Sequence, residues 1–320
     1  MLQKEILYLL EQNKGKIMTG GELAKQFQVS RTAVWKAINT LREDGNEIES
    51  YPNSGYMLLE NSDGLSEQSI EKNLTTQKLG RTLKVLKTVD STNQYIKIQD
   101  VAALPEGYTV ISNEQTNGRG RLGRVFYSPL SQGVYLSILL RPQIALKEVP
   151  FLTLCTAVAV CRAIEIVCSI QVGIKWVNDI FYNGKKLCGI LTEGVISAEM
   201  GAAEYVVIGI GINTGKVAAQ VEDIATSIRS AGNVYGARNR LIAEILNQLE
   251  SIYFDFLDGK KQAILNAYTE KLFIIGHDVT VQRTNESYPA TVIGINDSGE
   301  LLVKNKDGET LCVGTGEIIF

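Results

Sequence analysis

The chain has 320 residues, 45% of them hydrophobic and 21% charged, which is the balance of a soluble globular protein with room for two or three domains. A net charge of −3 does not advertise a nucleic-acid binder, so any such role must sit in a local patch. No apolar run approaches a membrane span, and the first residues carry no signal-peptide pattern, which points to a cytoplasmic protein that does not engage membranes.

Residues 1–63 read as a winged helix-turn-helix. Leu2, Ile6, Leu9 and Leu10 form a helical stripe. A short second helix runs from Gly20 to Phe27. Ser30 caps a third over Arg31 to Arg42, which ends near Gly45. On that helix Val34, Ala37, Ile38 and Leu41 share one face, and Thr32, Lys36 and Asn39 point the opposite way. Glu47–Tyr51 and Gly55–Leu59 flank Pro52-Asn53-Ser54 as a wing hairpin. Between Glu22 and Glu43 lie four basic residues and no acid, so DNA is favoured over a protein partner, with Arg31, Thr32, Lys36 and Asn39 as candidate contacts. The whole stretch 1–62 holds 7 basic and 8 acidic groups, which keeps a three-helix protein-interaction module open. Asn61-Ser62-Asp63-Gly64 reads as a linker.

Residues 64–272 mix helices and strands. Asp90-Ser91-Thr92-Asn93-Gln94 precedes a helical stretch. Ser91 and Gln94 have capping-box spacing, the preferred reading, although the same hydroxyl and amide groups also suit a polar ligand site. Further on, Gly118-Arg119-Gly120-Arg121-Leu122-Gly123-Arg124 alternates glycine with arginine. Glycine lets the backbone approach a ligand, and arginine supplies a fork of donors for phosphate or carboxylate. The run predicts a mobile cationic loop that closes over a polyanion. It also matches GxGxxG, but the dinucleotide fingerprint needs a helix next and an acid about 20 residues on. Here the strand-like 133–140 follows and no acid lies between Glu114 and Glu148.

Lys175-Trp176-Val177-Asn178-Asp179 leads into Ile180-Phe181-Tyr182, then Asn183-Gly184, then Lys185 onward. Asn-Gly between apolar runs signals a two-residue hairpin turn, which sets Tyr182 opposite Lys185 and Phe181 opposite Lys186. Lys175, Asp179 and Phe181 then share a face with Lys186, either as an ordinary cross-strand ion pair or as the lining of a cleft. Gly209-Ile210-Gly211-Ile212-Asn213 ends another strand, where glycines permit close ligand approach and Asn213 offers both a donor and an acceptor.

Residues 273–320 change to short alternating strands, with turns at Thr284-Asn285, Asn296-Asp297-Ser298-Gly299 and Lys306-Asp307-Gly308, the pattern of a small β barrel. Five cysteines without a CxxC pair read as buried free thiols. One histidine, His277, excludes a two-histidine metal site and gives no support to a histidine-based nucleophile.

In order and spacing, Asp90-Ser91-Thr92-Asn93, Glu114-Gln115, Gly118–Arg124, Lys175–Asp179, Lys186-Leu187-Cys188-Gly189 and Gly209–Asn213, between a winged helix and a small barrel, resemble the biotin protein ligases of the bifunctional kind that also repress transcription. The resemblance covers essentially the whole chain. It implies an α+β protein with a winged helix-turn-helix, a central mixed-sheet α/β ligase domain of class II synthetase-like fold and an SH3-like C-terminal barrel. It further implies that Ser91, Thr92, Asn93, Gln115, Arg119, Gly120, Arg121 and Lys186 contact biotin or its adenylate, and that Phe126 and Asn213 hold the adenine. The family usually has Trp where Phe126 stands and Pro where Val177 stands. Phe126 can still stack.

The reaction so implied uses ATP with Mg²⁺ to convert biotin into biotinyl-5′-AMP, then passes biotin to a lysine of a biotin carboxyl carrier protein or domain. A carboxylate is already ionised at neutral pH, so no histidine base is needed. Arg119, Arg121 and Lys186 would neutralise phosphate charge. Asp179 is the candidate for orienting or deprotonating the incoming amine and for an indirect contact to magnesium. The resemblance also implies operator DNA as a partner and a homodimer, formed when the adenylate is bound, through the central sheet. Two rivals remain. A lipoate-type ligase typically has a His-Asp pair after a glycine-rich stretch, and His277 is far from one. A non-catalytic biotin-sensing repressor would have no need of Arg119, Arg121, Asp179 and Lys186.

Overall fold

Ile6, Leu10, Leu23, Val34, Ile38 and Leu58 close a small core of their own at the N-terminal end of the chain. They come from α1 (Leu2–Gln12), α2 (Gly20–Gln26), α3 (Arg31–Glu43) and an antiparallel hairpin of β1 (Ile48–Tyr51) and β2 (Gly55–Leu58). The structure is a computed structural model and describes residues 2–197, 202–232, 236–283 and 286–319. Ser30 Oγ accepts from the Ala33 N–H at 3.1 Å and starts α3 as expected. A cap not singled out from the sequence starts α2. There Thr19 Oγ1 accepts from Glu22 N at 3.0 Å while Glu22 Oε2 accepts from Thr19 N at 2.9 Å.

Residues 61–64, expected to be a linker, are built into the structure together with Leu65 and Ser66. Ser62, Gly64, Leu65 and Ser66 are buried. Lys14 Nζ donates to the Ser62 carbonyl at 2.8 Å, and Asn239 brackets the segment by donating to Gly64 O and accepting from Ser66 N. Leu65 joins the core of the central domain. Backbone groups that a free tether would leave to water are paired with protein.

The central domain is a seven-stranded sheet in the order β3-β4-β5-β9-β8-β7-β6. Its strands are β3 (Leu83–Leu86), β4 (Thr109–Ser112), β5 (Gly133–Leu140), β6 (Gly173–Lys175), β7 (Asp179–Tyr182), β8 (Lys185–Ser197) and β9 (Ala202–Asn213). Only β3 and β4 run parallel, so the sheet is mixed. Side chains alternate along each strand, and the isoleucines of β9 (Ile208, Ile210, Ile212) all turn to one face. They pack there with Leu136, Ile138 and Ile190 against α6 (Phe151–Cys168) and α7 (Arg238–Leu257). The opposite face carries α5 (Thr92–Lys97), whose Ile96 joins Val110, Leu139 and Val207 in a second cluster. The rest of that face is open and forms the site. Two short helices, α4 (Glu67–Glu71) and α8 (Lys261–Lys271), complete the domain.

One sequence expectation is corrected here. Residues 146–168 are long and apolar enough, with a mean hydropathy of 2.0, to pass for a membrane span. In the fold this stretch supplies α6, which is buried on nearly every side because α7, α8 and the sheet surround it.

The C-terminal sheet is antiparallel, in the order β13-β12-β11-β10-β14, from β10 (Asp278–Gln282), β11 (Ser287–Ile295), β12 (Leu301–Asn305), β13 (Thr310–Val313) and β14 (Glu317–Ile319). Turns fall at 296–299 and 306–308, where Gly299 and Gly308 have φ of +80° and +84°; the turn expected at Thr284-Asn285 lies outside the described residues. This sheet does not keep a separate core. Val279, Val281, Val292, Leu301 and Val303 belong to the same buried cluster as α6, and Trp176 Nε1 donates to the Gly299 carbonyl at 3.0 Å.

Candidate active site

The cleft owes its floor to glycine. Across the sheet, Tyr135, Gly211 and Gly189 stand in one row, and Ser137, Gly209 and Leu191 in the next. A Cβ on Gly211 would come within 2.5 Å of the Phe126 ring, and one on Gly209 would collide with Asn93 Oδ1. The alternation Gly-Ile-Gly-Ile therefore fills the core on one face and leaves hollow space on the other. The resulting cavity, of about 510 Å³, is lined by Ser91, Thr92, Asn93, Gln115, Arg119, Gly120, Arg121, Phe126, Asp179, Lys186 and Asn213, every candidate of the central region.

The hairpin forms as its sequence requires. Asn183 and Gly184 take φ of +48° and +74°, as a type I′ turn demands, and Tyr182 pairs with Lys185 and Phe181 with Lys186. A register shift follows, because Ile180 pairs with Cys188 and leaves Leu187 as an extra residue. Lys186 Nζ lies 2.7 Å from Asp179 Oδ1. That contact has ion-pair distance but not hydrogen-bond geometry, so the buried Oδ1 is left without a hydrogen-bond donor. Lys186 is braced by backbone bonds to Ile224 and Thr226. Lys175, across from Asp179, lies 5.6 Å from the centre of the Phe181 ring. Burial pulls its ammonium below the ordinary lysine range, against the opposing charges of Asp179 and Glu317.

The glycine-arginine stretch folds back on itself. Gly120 N donates to Arg124 O at 2.7 Å, and Phe126 N to Gly118 O at 2.9 Å. Leu122 has φ of +56°. The expectation was a mobile loop, yet two arginines are anchored. Arg121 Nη1 donates to Asn178 Oδ1 at 2.9 Å, and Arg124 forms a bidentate pair with Glu317 of β14. Asn178 is itself buried and donates to the Ile190 carbonyl at 2.9 Å. The Trp176–Val177 peptide that precedes it is cis.

The other end of the cavity is polar. The capping box expected at Ser91 and Gln94 does not form, since the Ser91 side chain makes no cap bond. Gln115, in the segment that follows β4, takes that role, with Oε1 accepting from Thr92 N at 2.9 Å. Ser91 is thereby left on the cavity wall. At the opposite rim, Asn213 Nδ2 donates to the Thr226 carbonyl at 3.1 Å.

Several lining groups were not foreseen. Gly316, Glu317 and Ile318 bring the C-terminal sheet to the cavity, and Val221, Asp223, Ile224 and Ala225 close a further side. No local pattern marks them, because they reach the site through tertiary packing. Four of the five cysteines (Cys155, Cys161, Cys168 and Cys188) are buried free thiols, as expected, and Cys312 is exposed. Burial pushes the Cys161 thiol up to about 12 and that of Cys168 to about 11. Among the described residues no group of three or more His, Cys, Asp or Glu side chains could hold a metal ion.

On α3, Arg31, Thr32 and Lys36 are exposed and Asn39 is half-buried. Asn39 Oδ1 accepts from Arg42 Nη1 at 3.3 Å, while Arg42 also binds Ile48 O and Ser50 Oγ of the wing, both at 2.7 Å. Arg42 therefore braces helix against wing, and Arg31, Thr32 and Lys36 remain as outward groups.

Comparison with known proteins agrees along the whole chain. Residues 85–213 match the biotin/lipoate A/B protein ligase family, residues 2–57 an HTH domain, and residues 274–320 the biotin protein ligase C terminal domain. The chain is 36% identical over 311 residues to the bifunctional ligase/repressor BirA of Bacillus subtilis (strain 168), covering 96% of this chain and 95% of that protein. It is 30% identical over 239 residues to the bifunctional ligase/repressor BirA of Escherichia coli (strain K12), covering 74% and 72%. Among solved structures, the biotin protein ligase from Aquifex aeolicus in complex with biotin and ATP superposes with a TM-score of 0.65 at 26% identity, over 74% of this chain and 97% of that one.

Proposed function

The chain belongs to the biotin protein ligases of the bifunctional ligase/repressor type, and from that premise we propose how its residues divide the work. It is an ATP-dependent ligase that makes biotinyl-5′-AMP and passes biotin to a lysine of a biotin carboxyl carrier protein or domain, and a biotin-responsive repressor. The observation that carries the assignment is convergence. A polar pocket end (Thr92, Asn93, Gln115), an arginine loop (Arg119, Arg121) and a lysine-carboxylate pair (Lys186, Asp179) face one glycine-floored cavity.

In the first step a carboxylate oxygen of biotin attacks the α-phosphorus of ATP. The bond to the bridging oxygen breaks and pyrophosphate leaves. The chain's task is positioning and charge neutralisation. Lys186 and Arg121 lie where charge gathers, and Arg119 and Gly120 close over the adenylate. Phe126 and Asn213 flank the adenine. Magnesium enters with ATP as part of the substrate. A single carboxylate beside phosphate oxygens suits it, and Asp179, whose Oδ1 is held 2.7 Å from the Lys186 ammonium, fits an indirect contact. In the second step the acceptor's lysine nitrogen attacks the acyl carbon, AMP departs, and Asp179 receives or orients the amine proton.

The winged head is the DNA reader, with Arg31, Thr32 and Lys36 toward the groove and Asn39 behind them. Operator occupancy follows ligand state through a homodimer that forms on adenylate binding. We assign the protein to the cytoplasm. The decisive experiment mixes the protein with biotin and ATP and measures pyrophosphate. Release with biotin and none with lipoate is expected, and loss of about a hundredfold in Lys186→Ala, comparable to removing one key electrostatic donor. Release with lipoate instead, or none with either, overturns the ligase reading.

A further inference from the structure

A row of hydrogen bonds behind the polar end of the cavity uses two side chains that line no part of it. Glu193 on β8 accepts from Asn93 Nδ2 at 2.7 Å and from Lys97 Nζ at 2.8 Å. Ser137 on β5, fully buried, lies 2.5 Å from Asn93 Oδ1 and 2.7 Å from Thr92 Oγ1. Both stand on the face beneath α5, and Gly209, lacking a side chain, gives Asn93 the room to reach them.

The direction of the hydrogens in this row follows from counting donors and comparing distances. Burial works against charge on Glu193, but the bonds from Lys97 and Asn93, with the Arg119 charge nearby, hold its carboxyl below the ordinary carboxylate value. An ionised carboxylate only accepts, so Asn93 must turn its NH₂ toward Glu193 and its Oδ1 toward Ser137. Oδ1 has no hydrogen, so the single Ser137 hydrogen goes there. The single hydrogen of Thr92 has two candidate acceptors, Ser137 Oγ at 2.7 Å and Gln115 Oε1 at 3.1 Å, and because Gln115 Oε1 already accepts the Thr92 backbone N–H, the shorter contact to Ser137 takes it. On the far side, Gln115 is fixed by donating from Nε2 to Ser128 Oγ at 2.9 Å, and its Oε1 is met by the Thr92 backbone N–H. Thr92 Oγ1 is left with lone pairs and no hydrogen to offer the cavity.

We propose that Ser137 and Glu193 are positioning residues that polarise this row so that Thr92 presents an acceptor, matched to an N–H of the ureido head of biotin. The inference rests on the biotin reading above. Neither residue touches the reacting atoms. Their effect should therefore appear in recognition of biotin and leave the chemical step and ATP alone.

The test is steady-state pyrophosphate release by the full chain, with biotin and ATP varied separately. Ser137→Ala is expected to raise KM for biotin about tenfold, the loss of one net hydrogen bond, with kcat and KM for ATP within twofold of the parent. Ser137→Thr, which keeps the hydroxyl, should restore most of the affinity. Glu193→Gln should also raise KM for biotin, because a carboxamide can offer Asn93 either a donor or an acceptor and no longer dictates its orientation. If Ser137→Ala fails to fold, Glu193→Gln carries the same comparison. An unchanged biotin KM in folded variants, or equal rises for biotin and ATP, overturns the proposal. Absence of biotin-dependent pyrophosphate in the parent protein would instead sink the ligase reading on which it stands.

Discussion

Arg238 grips Asp63 across a sequence separation of 175, its backbone N–H donating to Asp63 Oδ1 at 2.9 Å and its Nη1 to the Asp63 carbonyl at 3.1 Å. The same guanidinium, only 2% exposed, donates to Gly133 O at 2.9 Å and Asn113 Oδ1 at 3.0 Å. Gly133 is the cross-strand partner of Asn213. One buried cation thus ties the segment that leaves the DNA-binding head to strand ends beside the cleft.

Asp63→Ala leaves the Arg238 backbone N–H without its acceptor and removes a negative charge near the buried guanidinium, and should destabilise the protein by about 2 kcal/mol, the penalty for a buried donor left unsatisfied. Asp63→Asn should be milder, because it keeps an acceptor and because burial already pushes the Asp63 carboxyl up against the pull of Arg238. Removing residues 1–63 should carry the alanine penalty, whereas removing residues 1–60 spares it. Denaturant midpoints of these four proteins decide the matter, and equal midpoints for the two truncations would remove Asp63 from the account.

The two floor glycines should separate the two substrates. Gly209→Ala displaces Asn93 and is expected to weaken biotin binding at least tenfold with little effect on ATP. Gly211→Ala pushes Phe126 and should raise KM for ATP instead. Overpacking of this kind costs about 1–3 kcal/mol of stability, so both variants should fold. Calorimetric titration with each substrate reads the split, and identical losses in both variants would contradict it.

Acid should release the arginine loop. The bonds and charge of Arg124 hold the Glu317 carboxyl below its ordinary value of 4.5. A depressed carboxylate contributes stability that is complete above that unfolded-state value and is lost as pH falls through the lower folded-state one. Hydrogen exchange in residues 118–124 should therefore stay slow down to about pH 4.5 and accelerate below it. In Glu317→Gln it should be fast throughout. A loop equally protected in both proteins at neutral pH would show that the pair does not hold it.

Trp35 is 53% exposed on α3 and can report DNA docking. The chain has two tryptophans, and the other, Trp176, is buried. In a Trp176→Phe background, operator DNA should alter the fluorescence of Trp35 measurably. No change at saturating DNA would take Trp35 out of the interface and require a different orientation of α3.

Much of this was legible in the sequence wherever local chemistry decides structure. Ser30 is a good N-cap wherever it falls, and Asn183-Gly184 specifies its turn through backbone angles alone. These two features suffice to orient α3 and to set Lys186 opposite Phe181. What escaped was set by distant partners. Gln115 displaced Ser91 as the cap at the start of α5, Leu187 bulged out of a hairpin that looked regular, and Arg238 turned an apparent linker into a buried joint. The wall formed by Gly316–Ile318 has no pattern of its own, since its place depends on the docking of a whole sheet.

That wall has a consequence for the order in which the molecule matures on the ribosome. β14 follows every other element of the cleft in the chain, and its core is continuous with α6. The DNA-binding head, with an independent core, can fold once β2 has emerged, before the central domain is complete. The cleft cannot close until residue 319 has left the exit tunnel. A nascent chain therefore passes through a stage in which it has a finished reader and an unfinished ligase, and it cannot register biotin until the C-terminal sheet has docked.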